Sequence, residues 1–286
     1  MGQAPAKRMY SSISQPDHIS ISAATDRGKV REHNEDSFAA CADLDRSQWA
    51  DGGERVPLSP AGSLLAVADG IGGALAGEVA SRIAVETVQA YFSPAPFTEA
   101  PPEKEARAYL QRVARAAHRA ILDYGDTHPQ CEGMGTTLIL AWLTGRTAYL
   151  AWRGDSRGYL YRPGAGIRML TEDHSLVWDY VKAGRLTPEE ADVHPMSNII
   201  LKSLGNREVR DALPDIVSVS LQPGDRLLLC SDGLNNMVTT RDIGRIVGHP
   251  GAPLPEINRQ LIEAANGNGG RDNITVALLE LFGPGA

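Results

Sequence analysis

The chain has 286 residues, with 28 lysines and arginines against 35 aspartates and glutamates, and its formal net charge is −7 at pH 7. Its 42% hydrophobic and 22% charged residues are typical of a globular protein that buries a core. The acidic balance argues against a nucleic-acid partner, and the longest apolar runs, such as 138–143, are too short to span a bilayer.

The first residues are polar and contain proline, serine and glutamine without a periodic pattern. We predict a flexible tail over 1–17 and one folded domain over 18–283. The start lacks the apolar segment of an export signal, and Ala6 stands where a myristoylation motif requires serine or threonine. A cytoplasmic protein is therefore expected.

The first part of the domain is predicted to be rich in strands. Apolar and polar residues alternate over 19–22, and a second short strand is predicted over 37–42. The 42–62 segment is rich in Asp, Gly, Pro and Ser, so it is predicted to be a long loop inserted between strands. A buried strand is predicted over 64–68, directly before Asp69.

Two amphipathic helices are predicted next, over 77–92 and 103–124, because apolar residues recur there near the helical period of 3.6. Six further strands are predicted, at 136–143, 147–153, 158–162, 216–220, 226–231 and 273–280. Runs of strands around two helices are typical of an α+β sandwich. The sequence contains no internal repeat and no sign of a second domain.

Three helices are predicted in the later part of the chain. Within 175–205, Thr187 can cap a helix, Pro188 fits its first turn, and Glu190 completes a capping box. The other two helices are predicted over 240–247 and 255–266. The cysteines lack metal-site spacing and are predicted to be buried, reduced thiols: Cys41, Cys131 and Cys230.

Acidic signatures end or interrupt the apolar runs at five places. They are Asn34-Glu35-Asp36, Asp69-Gly70, Gly154-Asp155-Ser156-Arg157, Asp232-Gly233 and Arg271-Asp272-Asn273. A sheet can bring carboxylates that are distant in sequence to one edge, where a cation would offset their mutual repulsion. The donors are all oxygens, and Gly70 leaves its backbone carbonyl accessible as a further ligand. The pattern predicts a divalent-metal site.

Each Asp-Gly pair by itself has a simpler explanation, because Asp-Gly after a strand is among the commonest turn signals. The repetition favours a shared role. One apolar run, 64–68, leads into Asp69, and a second, 227–231, leads into Asp232. Two buried strands of this kind would deliver matching carboxylates to one place.

These motifs resemble those of the metal-dependent serine/threonine protein phosphatases, the PPM or type 2C family, in its short bacterial form. The resemblance covers about 19–281 and rests on seven motifs in family order: Arg31-x-x-Asn34-Glu35-Asp36, Val67-Ala68-Asp69-Gly70-Ile71-Gly72-Gly73, Gly135-Thr136-Thr137, Gly154-Asp155-Ser156-Arg157, Thr171-Glu172-Asp173-His174-Ser175, Cys230-Ser231-Asp232-Gly233-Leu234 and Asp272-Asn273-Ile274-Thr275-Val276. It implies a four-layer α-β-β-α sandwich of two antiparallel sheets with flanking helices. It also implies that 175–205 is the flap that covers the substrate groove.

The resemblance further implies a binuclear centre of Mn²⁺ or Mg²⁺ that activates a water for attack on the phosphate ester. Asp69 would bridge the two ions, and Asp232 and Asp272 would complete the coordination of one of them. Glu35, partly through water, and the Gly70 carbonyl would complete the other. Asp69, Asp232 and Asp272 are therefore predicted to carry catalysis.

Three other residues receive roles from the same resemblance. Asp36 would support the metal ligands directly or through water. Arg31 would bind the phosphate of the substrate, because a guanidinium matches phosphate oxygens in a bidentate fork. Asp155 would hold a weaker third ion together with Asp232, although a tight turn also explains an aspartate in Gly-Asp-Ser-Arg.

The chain departs from the wider family at three places. Many eukaryotic members have histidine after the Asp-Gly as a proton donor, and Ile71 cannot serve in that way. Many relatives have a further aspartate four residues after the one that corresponds to Asp232, and this chain has Asn236 there, which puts occupancy of the third site in doubt. Trp152 and Arg153 precede the Gly-Asp-Ser-Arg motif, where an apolar residue is more usual.

Three residues with reactive side chains are not assigned to the chemistry. His174 titrates near neutrality in general, but its motif is most similar to a structural turn that leads into the flap. Thr136 and Thr137 are candidate nucleophiles only in the absence of an activated water, so they are predicted to be buried strand residues.

The sequence thus predicts a monomeric protein phosphatase that hydrolyses phosphoserine and phosphothreonine in proteins and opposes a bacterial Ser/Thr kinase. Two alternatives remain open at this stage. A module of the same fold would bind phosphoproteins with little turnover, and loss of metal ligands would indicate it. A two-metal nuclease would need a basic groove, which the acidic composition does not suggest.

Overall fold

The computed structural model describes residues 17–49, 52–72, 74–192, 194–209 and 211–284. The tail predicted over 1–17 lies outside these residues except for its last member. Asp17 accepts two hydrogen bonds from the Arg146 guanidinium, at 2.6 and 2.7 Å. The described chain therefore begins attached to the body of the fold.

Two antiparallel sheets form the centre of the protein. The first contains β1 (His18–Asp26), β4 (Gly52–Pro57), β9 (Arg157–Arg162), β10 (Gly166–Met169), β12 (Arg226–Cys230) and β13 (Ile274–Phe282), in the spatial order β10-β9-β12-β13-β1-β4. The second contains β2 (Asp36–Asp43), β3 (Gln48–Trp49), β5 (Ser63–Ile71), β7 (Leu138–Thr144), β8 (Thr147–Arg153) and β11 (Asp215–Ser220), in the order β11-β8-β7-β5-β2-β3, with the short β6 (Gly135–Thr136) paired to β5.

The two sheets pack face to face because successive strand residues point to opposite faces and both inner faces are apolar. Ile19 and Ile21 of β1 and Leu65 and Val67 of β5 lie in the same buried cluster between the sheets. Burial of this area, at roughly 25 cal/mol per Å² of apolar surface, is the main source of stability for the sandwich.

Helices cover both outer faces. The long helices α1 (Ala74–Phe92) and α2 (Glu103–Thr127) pack on the second sheet and share a buried cluster with its outer residues, among them Trp142. On the first sheet lie α6 (Thr240–Val247) and α7 (Leu254–Gly267), whose apolar residues share a cluster with Tyr159. The predicted four-layer α-β-β-α sandwich is therefore confirmed.

The prediction for 42–62 was wrong in part. The segment contains two short strands, β3 against β2 and β4 against β1. Both strands are short and partly exposed, so the apolar pattern that would predict them is weak. Each pairs with the free edge of a longer strand. The strand β10 was also missed, because its alternation extends over only four residues.

The flap segment, 175–205, contains two short helices, α3 (Leu176–Lys182) and α4 (Pro188–Asp192). The predicted capping box is present: the Glu190 backbone N–H donates to the Thr187 hydroxyl at 3.2 Å, and the Thr187 N–H donates to the Glu190 carboxylate at 2.8 Å. The helix α3 was not predicted. Ser175 caps it by accepting a hydrogen bond from the Trp178 N–H at 3.4 Å.

Two further predictions can be compared with the structure. The three cysteines are buried and free, as predicted, and burial raises the pKa of the Cys41 and Cys230 thiols to about 12. Along the described part of the chain, no helix is both long enough and apolar enough to cross a membrane.

Candidate metal centre

Strand register brings the first two carboxylates together. In the pairing of β2 with β5, Asp36 lies directly opposite Asp69. The Gly70 N–H donates to the Glu35 carbonyl at 3.2 Å, so Glu35 and Gly70 are also neighbours. A Cβ on Gly70 would overlap the backbone of Gly77 in α1, which explains why the residue after Asp69 has no side chain.

The first sheet delivers two more carboxylates to the same end of the sandwich. Asp232 begins the short helix α5 (Asp232–Asn235) two residues after the end of β12, and Asp272 lies two residues before the start of β13. Because β12 and β13 are paired, with Cys230 opposite Val276, their adjoining segments lie side by side. The remaining acidic residue, Asp155, lies in the turn between β8 and β9, where the chain passes from the second sheet to the first.

Seven of the eight predicted site residues line one cavity of about 180 Å³. They are Arg31, Glu35, Asp69, Gly70, Asp155, Asp232 and Asp272. The eighth, Asp36, is buried at 8% exposure and is not among the lining residues. We call the six acidic residues the carboxylate centre: Glu35, Asp36, Asp69, Asp155, Asp232 and Asp272.

Hydrogen bonds fix Asp36 on one side only. Its Oδ2 atom accepts hydrogen bonds from the hydroxyls of Ser231 and Thr275, both at 2.7 Å. Its Oδ1 atom is buried without a hydrogen-bond partner, and so are the Oδ1 atoms of Asp155 and Asp232. A buried carboxylate oxygen without a partner is energetically costly, so these atoms indicate that the centre is built for a ligand.

The electrostatics of the centre lead to the same conclusion. Burial, and then the charge of neighbouring carboxylates, raise the pKa of Asp69 and Asp155 well above the usual value. The same causes, opposed by its two hydroxyl hydrogen bonds, raise the pKa of Asp36 to about 7, and burial with the Asp272 charge raises that of Asp232 to about 6. Like charges in a low dielectric disfavour ionisation, and a cation would reverse this effect.

The backbone of Asp69 is held from both sides. Its N–H donates to the Thr137 hydroxyl at 2.9 Å, and its carbonyl accepts a hydrogen bond from the Thr136 hydroxyl at 2.8 Å. The Thr137 hydroxyl also lies 2.7 Å from that of Ser156, next to Asp155. Thr136 and Thr137 are fully buried, as predicted, and their hydroxyls fix the position of Asp69.

Other groups of the chain bond to two of the carboxylates. Arg31 donates to Asp272 at 2.7 Å, and the Asn236 amide donates to Asp232 at 3.0 Å. The hydrogen bond and charge of Asp272 outweigh burial and raise the pKa of Arg31. With these partners in place, the described residues contain no group of three or more acidic, histidine or cysteine side chains arranged to hold an ion.

The donor set nevertheless fits a hard divalent cation. Carboxylate oxygens and a backbone carbonyl are the ligands that Mn²⁺ and Mg²⁺ prefer, and three oxygens of the centre are buried without partners. Cation binding would require Arg31 to release Asp272 and Asn236 to release Asp232. The first change is a side-chain rotation at the cavity, which Arg31 lines.

The prediction from sequence missed several residues that shape the site. Asn273 accepts the Glu35 N–H at 2.8 Å and donates to the carbonyls of Arg27 and His33, at 3.0 and 2.8 Å, so it fixes the loop that carries Arg31 and Glu35. Its place in the Asp-Asn motif was the available signal. Asn198 and Ile200 of the flap segment line the cavity without any recognisable motif.

His174 lies at the base of the flap segment, as the structural reading predicts. Its Nδ1 atom accepts the Gly154 N–H at 3.1 Å, and Nε2 lies 2.8 Å from an Asp215 carboxylate oxygen. The acceptor role of Nδ1 assigns the proton to Nε2, which donates to Asp215. Burial lowers the pKa of His174, in keeping with a neutral ring that both partners hold in place.

A second buried charged group lies beside the centre. Arg157 donates to Asp173 through Nε and Nη2, and through Nη2 to Asp192 of the flap segment at 2.7 Å. Burial lowers the pKa of Arg157, but the charges of its partners outweigh burial and raise it overall. We call Arg157, Asp173 and Asp192 the arginine cluster.

Comparison with known proteins identifies the wider group. A family profile described as protein phosphatase 2C matches residues 55–276. Serine/threonine phosphatase stp of Listeria innocua is 36% identical over 256 residues, which are 90% of this chain and 93% of that protein. The sequence similarity therefore extends through nearly the whole of both chains.

Solved structures give the same result. Stp1, a serine/threonine phosphatase from Staphylococcus aureus, superposes with a TM-score of 0.80 at 29% identity, covering 95% of this chain and 98% of that one. The catalytic domain of the serine/threonine phosphatase PstP in complex with two manganese ions superposes with a TM-score of 0.74 at 34% identity, covering 93% and 99%.

Proposed function

The chain belongs to the protein phosphatase 2C family and is a serine/threonine phosphatase, and we propose that it hydrolyses phosphoserine and phosphothreonine in proteins at a centre of two divalent cations. The observation that carries the proposal is the set of buried oxygens without partners on Asp36, Asp155 and Asp232, around a cavity that also presents Arg31. Such a cavity attracts cations and can then accept a phosphate dianion.

Within this proposal, Asp69 would be a ligand of both cations. Asp232 and Asp272 would hold one of them, and Glu35 with the Gly70 carbonyl would hold the other. Two cations at such a site lower the pKa of a bound water and offset the charge of the transferring phosphoryl group. The PstP complex with two manganese ions supports Mn²⁺ as one cation that this fold accepts, and Mg²⁺ suits the same oxygen ligands.

The protein's own groups orient the substrate. Arg31 has a side chain that is 51% exposed at the mouth of the cavity, so it can turn from Asp272 to a phosphate. The hydroxyls of Thr136 and Thr137 keep Asp69 in register, and Ser231 with Thr275 does the same for Asp36. The carboxylate centre is therefore pre-organised on its protein side.

The leaving alkoxide needs a proton that Ile71 cannot supply, although Ile71 lines the cavity. His174 does not replace it, because Gly154 and Asp215 engage both of its ring nitrogens. We propose that water in the cavity or a cavity carboxyl group protonates the leaving group.

A third cation site is proposed at Asp155 and Asp232. Asp155 is 5% exposed and has a partnerless oxygen, which supports a ligand role beyond that of a turn residue. Asn236 donates its amide to Asp232 in place of a negative ligand, so the third cation would bind weakly. The monomeric state, the cytoplasmic location and the opposing Ser/Thr kinase stay predictions.

The direct test is release of phosphate from a phosphothreonine peptide by the purified chain in Mn²⁺, with excess chelator as the comparison. Asp69→Asn is the site variant. Asp126→Asn is the matched control, because Asp126 is an exposed aspartate that pairs with Arg207 on the surface. Tight peptide binding without phosphate release would favour the binding-module alternative, and full activity in chelator would refute the metal-dependent mechanism.

A further inference from the structure

The base of the flap segment is closed by backbone hydrogen bonds. Ser175 and Ile200 form an antiparallel bridge, the Leu201 N–H donates to the His174 carbonyl at 2.7 Å, and Leu204 pairs with Thr136 in β6. The segment therefore leaves the sandwich and returns to it at one place. Whatever holds this base determines where the rest of the segment lies over the cavity.

The last two residues of β8 reach this base from opposite faces of the sheet, as adjacent strand residues must. The Trp152 indole N–H donates to the Glu172 carbonyl at 2.8 Å, and its ring stacks on His174 at 6.2 Å between centroids and 12° between planes. Arg153 donates from Nε to the Ser203 carbonyl at 2.8 Å. Trp152 thus contacts the chain before the flap helices α3 and α4, and Arg153 contacts the chain after them.

Arg153 is an unusual residue in this position. It is 6% exposed, and its second hydrogen bond, from Nη1 at 3.1 Å, also goes to a carbonyl, that of Leu213. Among the described residues it forms no ion pair, and burial lowers its pKa against the weaker opposing charges of Asp215 and Asp211. A buried charge without a counter-charge is costly, so stability alone does not favour arginine here over an apolar residue.

The contacts of Trp152 and Arg153 continue into the carboxylate centre. Gly154 follows them directly and forms two hydrogen bonds with His174. The Gly154 N–H donates to the His174 ring at 3.1 Å, and the His174 backbone N–H donates to the Gly154 carbonyl at 3.0 Å. The next residue is Asp155. Three consecutive residues before a carboxylate of the centre therefore contact the flap base, and they join the two into one hydrogen-bonded unit.

We propose that Arg153, together with Trp152, is a positioning residue that sets the flap segment over the cavity and so aligns a phosphoprotein substrate. Through the flap base, the two residues determine where Asn198 and Ile200 lie, and these line the cavity beside Arg31. A small aryl phosphate needs only the cavity, whereas a polypeptide must also fit beneath the flap segment. The part of the inference that concerns substrate alignment rests on the proposed function.

The test uses the full chain and four variants. Arg153→Met removes both donors at similar size, and Arg153→Lys keeps the charge but cannot span both carbonyls. Trp152→Phe removes the N–H and keeps the stacked ring. The matched control is Arg162→Met, because Arg162 is bonded to Asp225 and to the Ser220 carbonyl, well away from the flap segment.

Two readouts separate positioning from general destabilisation. The first is kcat and KM in Mn²⁺ for a phosphothreonine peptide and for nitrophenyl phosphate. The second is the rate of trypsin cleavage after the exposed Lys182 and Arg185, mapped by mass spectrometry, with Tm measured in parallel. Opening of the flap segment exposes these bonds without unfolding the sandwich.

For Arg153→Met we expect KM for the peptide to rise about tenfold, because the variant loses the hydrogen bonds from a charged group that hold the flap segment over the cavity. KM for nitrophenyl phosphate should change less than about twofold on the same reasoning, and cleavage after Lys182 and Arg185 should accelerate. Arg153→Lys and Trp152→Phe should give smaller changes in the same direction. Arg162→Met should lower Tm and leave both readouts unchanged.

Parallel changes in KM for the two substrates, or unchanged cleavage in a folded Arg153→Met protein, would overturn the inference. If Arg153→Met does not fold, Trp152→Phe decides by the same criteria. Failure of the parent chain to release phosphate from the peptide would instead refute the proposed function. The cleavage readout does not depend on turnover, so it still tests the link between the flap base and β8.

Discussion

The carboxylate centre and the arginine cluster lie side by side, and both place charge where water has little access. In the arginine cluster charges of opposite sign are in direct contact: Arg157 and Asp173 have side chains that are 6% and 7% exposed, and several hydrogen bonds join them. In the carboxylate centre, acidic groups face one another and three of their oxygens have no partner.

The difference separates a structural group from a binding group. In a buried ion pair each member offsets part of the desolvation cost of the other, so loss of either member leaves an uncompensated charge. A set of like charges does the opposite: it destabilises the fold until a cation arrives. The same residue change, aspartate to asparagine, should therefore have opposite consequences in the two regions.

The largest effect is expected for activity. Asp69→Asn should lose more than about a hundredfold of phosphatase activity in Mn²⁺, beyond what is usual for residues that merely support metal ligands. The fold should survive, because the Thr136 and Thr137 hydroxyls bond to the backbone of residue 69 and not to its side chain. Phosphate release measures the activity, and circular dichroism measures whether the fold survives. Activity equal to that of the parent would show that Asp69 is not a metal ligand.

The second prediction compares stability in the two regions. Asp173→Asn should lower the free energy of unfolding by about 3–5 kcal/mol, because it leaves Arg157 buried with weaker partners. In excess chelator, Asp69→Asn should be at least as stable as the parent, because it removes one of several repelling charges. Urea denaturation of both variants measures this, and equal losses would contradict the contrast.

Metal-free stability should depend on pH in a direction that the raised pKa values define. For Asp36 and Asp232, the folded pKa values of about 7 and about 6 lie above the usual aspartate value of 3.8, so the folded state binds protons more tightly than the unfolded state. The stabilisation is then fully present below about pH 4 and is lost as pH rises through the folded pKa values.

In chelator, unfolding should therefore require less urea at pH 8 than at pH 5.5, by at least about 1 kcal/mol in free energy. Addition of Mn²⁺ at pH 8 should restore the lost stability, since the cation favours the ionised carboxylates. The Asp36→Asn protein should show a smaller pH dependence. A metal-free parent that is more stable at pH 8 would indicate that the centre already holds matched charges.

Arg31 places one positive charge beside the carboxylate centre, because it forms an ion pair with Asp272. Arg31→Ala should raise KM for a phosphopeptide about tenfold or more, since hydrogen bonds between charged groups contribute about 1.5–3 kcal/mol. Half-maximal activity should need no more Mn²⁺ than in the parent, because the arginine competes with cations for Asp272. Arg27→Ala is a suitable control, since among the described residues the Arg27 side chain bonds only to the Glu32 carbonyl.

The smallest effect concerns the third cation. Asn236→Asp replaces an amide that donates to Asp232 with a carboxylate, so it should lower the Mn²⁺ concentration for half-maximal activity a few-fold, at roughly 1 kcal/mol or less. Asp155→Ala should raise the Mn²⁺ concentration for half-maximal activity. A metal titration at saturating phosphopeptide measures both. If neither variant moves the midpoint, Asp155 is a turn residue and the third site is absent.

Elements whose signals are local could be predicted from the amino-acid sequence. Helix α6 has the bounds that were predicted, and α1 and α2 differ by three residues at one end, because their apolar period lies within each segment. The capping box at Thr187 is equally local, since its two partners are three residues apart. The motifs that named the carboxylates also lie at strand ends, where short apolar runs make them conspicuous.

Which of these groups come into contact depends on the folded structure. The pairing of Asp36 with Asp69 depends on strand register, and the fixing of Glu35 by Asn273 joins residues 238 positions apart. Arg153 looked anomalous in the sequence because its partner carbonyls lie 50 and 60 residues away. Backbone carbonyls carry no sequence signature, since every residue has one, so only the fold can show which of them a buried arginine will bind.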